Sequence, residues 1–192
     1  MKKYLHIALM LLCVFVVSSC KDDDDDTEAV EREAYKLEQD IAFQAKVNET
    51  GFEKWNSEAG DGYVFAKLIK KGDGKQAYFN SLVSVYYKGS LTDGTVFDQQ
   101  LFDDGIPFPC AVSPYYAKTV TDPVTNSQTQ YGSVISGWTV ALQHMVEGDK
   151  YEVWIPQQLA YGASESGDIP AYSTLIFEIE LVSVDEQAAS AS

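Results

Sequence analysis

A chain of 192 residues, 45% of them hydrophobic, holds one well-buried domain plus appendages and leaves no room for two domains of full size. Its formal charge of −15, with no basic cluster anywhere along it, lacks the electrostatic footprint that nucleic-acid binding requires. The glycines are scattered among turns, with neither a Walker loop nor a dinucleotide fingerprint, so phosphate-cradling chemistry has no support either.

In chain order, Lys2 and Lys3 precede an apolar run from Tyr4 to Val17 that is too short for a comfortable membrane span; residues 1–19 read as a secretory signal peptide. The run ends in Val17-Ser18-Ser19-Cys20, which resembles a bacterial lipobox, and Cys20 is the expected lipidation site. Removing Lys2 and Lys3 takes the charge from −15 to −17 and leaves acylated Cys20 and Cys110 as the only cysteines, so no intrachain disulfide is expected. Lys21 followed by Asp22 to Asp26 resembles the acidic tag behind the lipid cysteine of some surface-exposed Gram-negative lipoproteins, and residues 20–27 read as an extended tether. These aspartates lack the ligand spacing and turn glycine of a calcium loop. The expectation is an exported protein, lipid-anchored to the outer membrane of a Gram-negative bacterium, on its periplasmic or its outer face.

Residues 28–56 read as a helix and a linker. From Glu28 to about Val47, Val30, Ala34, Leu37, Ile41 and Ala45 or Phe43 recur at helical spacing with no Gly or Pro between them, and Asn48 and Gly51 supply the stop. The helix packs on the main domain or pairs with a second copy of itself, which would make a homodimer. Trp55 to Asp61 reads as a loop into that domain.

The main domain is expected over 57–186, followed by a disordered tail at 187–192. Tyr63 to Lys70, a turn at Lys71-Gly72-Asp73-Gly74, and Leu82 to Gly89 read as strand, turn and strand; the turn Thr92-Asp93-Gly94-Thr95 feeds a short strand through Phe97. Near Gly137 a helix of about three turns starts, with Trp138, Ala141, Leu142 and Met145 on one face and Gly148 as its stop. Lys150 to Pro156 and Ser173 to Val184 follow as strands, Leu175, Phe177, Ile179 and Leu181 alternating in the latter. Antiparallel strands around one short amphipathic helix describe an α+β layer.

Proton-transfer, metal and covalent chemistry find few candidates. His6 leaves with the signal peptide, and His144 alone builds neither a metal site nor a triad; it reads as a solvated or hydrogen-bonded helix residue. Cys110, after Phe108-Pro109, reads as a small buried thiol and not a nucleophile.

What the chain does carry is a set of ordered motifs. Val83 to Gly89, then Leu91 to Asp98, resembles the FKBP signature of a Tyr-x-Gly strand and a Gly-x-x-Phe-Asp bend. Pro107-Phe108, Val134 to Trp138, Leu142 to Gly148, Ala160-Tyr161-Gly162-Ala163, Ile169-Pro170 and Ser173 to Leu181 follow in that family's order, so the resemblance covers about Gly62 to Val184. It implies an antiparallel, strongly curved sheet wrapped over one short helix, with an N-terminal helical extension, and a peptidyl-prolyl cis/trans isomerase that uses no cofactor and no metal. The implied catalytic residues are Tyr87, Phe97, Asp98, Trp138, Tyr161 and Phe177, with Phe108, Val134, Ile135 and Ile169 binding substrate. Trp138 would form the floor; Tyr87, Phe97, Phe108 and Phe177 the walls; Ile135 N–H and the Tyr161 hydroxyl would take substrate carbonyls, and Asp98 would order the polar side. The implied partners are proline-containing polypeptides and FKBP-directed macrolides.

The chemistry of an X-Pro bond suits such a site. Its rotation barrier of about 18–20 kcal/mol comes from amide resonance, and the planar amide is more dipolar than the twisted one, so an apolar pocket favours the twisted form without nucleophile, base or metal. Two segments depart from the family pattern: an added rim loop between Phe108 and Val134, with Ser113-Pro114-Tyr115-Tyr116 and an exposed polar stretch through Gln130, and the acidic Ser164 to Asp168. The alternative function is a non-catalytic chaperone or surface interaction module on the same fold.

Overall fold

The computed structural model describes residues 24–187; the signal peptide, Cys20, the first half of the acidic run and the tail beyond 187 lie outside them. Helix α1 covers Asp24–Gln44 and runs into a 3₁₀ turn, Ala45–Asn48. Its described part thus reaches into the aspartate run, where a tether was expected.

Strands β1 (Phe52–Asn56), β2 (Tyr63–Lys70), β3 (Ser81–Ser90), β4 (Val96–Gln100) and β5 (Phe108–Ala111) are followed by a hairpin of β6 (Lys118–Thr121) and β7 (Gln128–Tyr131). Helix α2 (Ser136–Gln143), β8 (Lys150–Ile155) and β9 (Leu175–Gln187) complete the chain. The main sheet is antiparallel in the order β1-β2-β8-β9-β3-β4, and β5 extends the same edge of β3 that β4 occupies: β4 pairs with Tyr87 to Ser90, β5 with Leu82 to Val85.

β1 corrects the linker expected through residue 56. Phe52 to Asn56 pairs in continuous register with Lys67 to Tyr63, and Trp55 is buried, stacking on His144 with ring centroids 4.6 Å apart. The period-2 signal was masked because Glu53 and Lys54 interrupt two aromatics over only five residues.

The core lies between α2 and the concave face of the sheet. Trp138, Val140, Ala141 and Leu142 of the helix meet Val64, Val83, Val153, Leu175 and Ile179. α2 is eight residues long, shorter than the three turns expected; Met145 follows it in a tightened turn and is still fully buried. The entry is close-fitting: a Cβ on Gly137 would collide with the Ile155 side chain. Gly148 turns the chain at φ +89°, its N–H donating to Leu181 O at 2.7 Å.

On the other face, α1 docks through a stripe of which the apolar periodicity picked only Phe43. Phe43 packs between Phe65 (4.9 Å) and Tyr63 (5.5 Å), and Lys46 Nζ lies 3.9 Å from the Trp154 ring centre. Gln39, 2% exposed, donates from Nε2 to Thr92 Oγ1 (2.9 Å) and accepts the Thr174 N–H at Oε1 (3.1 Å), and the Tyr35 hydroxyl is 2.8 Å from Ser173 Oγ. Val30, Leu37 and Ile41, for which packing on the domain and pairing with a second copy were both open, are 69%, 61% and 61% exposed.

Candidate functional site

The strand register brings the aromatic residues together. Tyr87 and Gly89 of β3 lie opposite Ile179 and Phe177 of β9, and Gly89 also lies opposite Asp98 of β4. Gly89 is the position that lets the walls close: a Cβ there would come within 2.6 Å of the Phe97 ring and 2.7 Å of the Phe177 ring. The Tyr-x-Gly signature contained this glycine, yet its role as the notch beneath two rings emerges only in three dimensions.

Tyr87, Phe97, Phe108 and Phe177 surround Trp138, which is 4% exposed and forms the floor of a cavity of about 360 Å³. Tyr87 meets the indole edge-on at 5.1 Å and Phe177 at 5.2 Å, while Phe97 meets Phe177 at 5.5 Å and Phe108 meets Tyr87 at 5.6 Å. Such edge-to-face pairs each contribute about 0.5–1.5 kcal/mol beyond buried area, so the rings hold one another in place before any ligand arrives.

The polar side is made by Asp98 and Tyr87. The Tyr87 hydroxyl donates to Asp98 Oδ2 at 2.7 Å, and burial, then the carboxylate, push its pKa well above the ordinary tyrosine range. Ile135, the N-cap of α2, lines the cavity with an N–H that has no acceptor among the described residues. Tyr161, 41% exposed, lines it with a hydroxyl that has no partner among them. Trp138 Nε1 is buried and likewise has no acceptor among them.

Val134 completes the set, and Ser133, which the sequence reading passed over, also lines the cavity. Ile169 does not line it: at 5% exposed it belongs to the core beneath, where its neighbour Ser166 exchanges two backbone hydrogen bonds with it. The other nine of the ten expected site residues converge on one cavity.

The rim loop is partly ordered structure. Its polar stretch forms the exposed β6–β7 hairpin, with Asp122 Oδ1 capping the turn by accepting the N–H groups of Val124 (2.7 Å) and Thr125 (2.8 Å). Tyr131 anchors the hairpin beside Leu82 and Ala111 and donates to Asp185 Oδ2 at 3.2 Å. Cys110, at the start of the loop, is a buried thiol whose pKa is pushed up to about 12 by burial, and His144 Nδ1 donates to Val140 O at 2.8 Å.

Comparison with known proteins agrees with this geometry. A family described as FKBP-type peptidyl-prolyl cis-trans isomerase matches residues 74–182. The chain is 34% identical over 164 residues to the FKBP-type peptidyl-prolyl cis-trans isomerase FkpA of Aeromonas hydrophila, covering 85% of this chain and 51% of that one. It is 38% identical over 123 residues to the outer membrane protein MIP of Legionella longbeachae, covering 64% and 44% respectively. The chain thus spans about half the length of these curated relatives. A crystal structure of a peptidyl-prolyl cis-trans isomerase from Pseudomonas syringae pv. tomato superposes with a TM-score of 0.61 at 27% identity, covering 88% of this chain and all of that one. Family match, shared fold and an aromatic pocket assembled from the family's ordered motifs lead to one conclusion: this chain belongs to the FKBP-type peptidyl-prolyl cis-trans isomerase family.

Proposed function

We propose that the protein is an active peptidyl-prolyl cis/trans isomerase that assists the folding of exported polypeptides. The observation that carries this reading is the meeting, in one cavity, of four aromatic walls over Trp138 with two residues whose donors have no partner among the described residues, Ile135 N–H and Tyr161 Oη. A prolyl ring fits the apolar well; these donors engage carbonyls on either side of it. The twisted amide is less dipolar than the planar one and is therefore favoured in the well, which lowers the rotation barrier without breaking a bond. The Tyr87–Asp98 bond holds the polar wall in one orientation, so little reorganisation accompanies the twist. Because uncatalysed isomerisation takes tens of seconds or longer, accelerating it removes a slow step in folding.

Exchange spectroscopy on a short X-Pro peptide tests this: the protein raises the exchange rate, and an FKBP-directed macrolide abolishes the increase. Binding without acceleration across several X-Pro peptides would replace the enzyme with a non-catalytic holding module.

The same proposal extends to export and anchoring through Cys20, with the acidic run beside it, at the outer membrane. The motif Val17 to Cys20 supports it, as does a relative named an outer membrane protein. Metabolic labelling with a fatty acid, lost in Cys20→Ser, tests it. A homodimer through α1 is supported by the exposed stripe of Val30, Leu37 and Ile41; sedimentation of wild type against Leu37→Glu tests that.

A further inference from the structure

A second concavity, of about 320 Å³, lies on the far side of α2 from the aromatic pocket. The helix is a shared wall. Val134, Ile135 and Trp138 line the pocket, whereas Ser136, Thr139 and Gln143 line the second groove. The rim loop links the two as well, through Ser133 in the pocket and Pro114 and Tyr115 in the groove.

The groove has a definite chemical character. Phe79 and Tyr115, 47% and 88% exposed, provide open aromatic faces, and Pro114 and Val140 line the groove beside them. Both charged residues that line it, Glu58 and Asp61, are acidic, and neither is in an ion pair among the described residues. Aromatic faces next to unpaired carboxylates select a flat cation. A guanidinium satisfies both at once, stacking on a ring while its N–H fork reaches a carboxylate; an ammonium has no face to stack.

We infer that this groove is a subsite for an arginine side chain of the same polypeptide whose proline occupies the aromatic pocket. The inference rests on the isomerase reading for the occupant of the pocket. Spacing follows from the shared wall: a helix with its side chains is about 10–12 Å across, which about three to four extended residues cover. The preferred clients therefore carry arginine about three to four residues from the proline. The rim loop, which departs from the family pattern, is the element that would give this chain such a preference.

The test compares X-Pro peptides bearing Arg or Glu at each of those spacings, on either side of the proline, with a short peptide lacking any flank. The wild-type protein should show a KM about five- to tenfold lower for an Arg peptide than for its Glu counterpart, with kcat little changed. In Tyr115→Ala and in the double variant Glu58→Gln/Asp61→Asn that difference should collapse, while kcat/KM on the short peptide stays at the wild-type value. Tyr115 is almost fully exposed, so its truncation leaves the core intact. Amide chemical shifts of Ala59, Tyr115 and Gln143 give a readout independent of turnover. Saturable shifts with the Arg peptide, lost in the variants, support the subsite even if the short peptide is not turned over, an outcome that would sink only the isomerase reading. Equal KM values for Arg and Glu peptides, or groove amides that do not move, overturn the subsite while leaving isomerisation untouched.

Discussion

The aromatic pocket and the seat of α1 lie on opposite faces of one sheet and are built by opposite rules. Along β2, Val64 and Ala66 face the main core whereas Phe65 faces α1; along β8, Val153 and Ile155 face the core whereas Trp154 lies under Lys46. The pocket is an assembly of rings that pack on rings. The α1 seat has a smaller aromatic cluster, Phe43 of the helix on Phe65 and Trp154 of the sheet, and adds polar ties, with Gln39 joining the helix to the turn before β4 and to the approach to β9. Burial of apolar area tolerates small displacements, whereas a buried amide must meet its partners or lose the desolvation free energy of the groups it leaves unpaired. The pocket should thus respond to lost volume, the seat to lost hydrogen bonds.

The largest effect is expected at the pocket floor. Trp138→Ala removes the residue on which Tyr87 and Phe177 pack, and should lower unfolding free energy by about 3–5 kcal/mol in denaturant melts and reduce prolyl exchange to the uncatalysed rate. Next, Asp98→Val leaves the Tyr87 hydroxyl without its acceptor and should cut kcat/KM by about 10–100-fold, with the α1 amides as protected from hydrogen exchange as in wild type. Loss of protection in α1 would break the division between the two faces.

Gln39→Ala is the converse experiment. It strands the buried Thr174 N–H, should cost about 1–3 kcal/mol, and should leave kcat/KM within about twofold, because Gln39 touches no residue of the cavity. A large fall in activity would mean that the approach to β9 transmits strain to Phe177. pH is the gentlest probe. The raised pKa of Tyr87 keeps its phenol protonated in the folded state, so the bond to Asp98 persists through neutral pH and is lost only as pH rises past the ordinary tyrosine range. With no proton transferred in the reaction, kcat/KM should be flat between about pH 6 and 9; a bell-shaped profile would point to acid–base chemistry instead.

This contrast also governs what could be read from the sequence. The pocket was legible because its residues occur in motifs whose order survives in the chain, and because the alternation Leu175, Phe177, Ile179, Leu181 identifies the inner face of β9 directly. Motif position alone does not separate a residue that lines the cavity from one packed beside it, as at Ile169. The direction of α1 was illegible because its seat uses Tyr35, Gln39 and Phe43, of which periodicity counts one as apolar without ambiguity, while the more hydrophobic stripe of Val30, Leu37 and Ile41 faces out. The β6–β7 hairpin escaped because its apolar residues are few, Val120 and Tyr131 alone, on one face; its signal lay in the turn from Asp122 to Asn126, the latter at φ 57°, and in the β-branched residues on either side.

The position of β9 has a bearing on how such a molecule comes to exist. The last strand among the described residues is an interior strand of the sheet, with β8 on one side and β3 on the other. Until it arrives, β3 and β8 have no partner along the edges that meet there, and Phe177 is missing from the pocket. A chain that lacks β9 cannot close this core, so the domain sets in one long-range event that joins β9 to strands that lie earlier in the sequence. Closure of the core and completion of the aromatic pocket by Phe177 are therefore a single event.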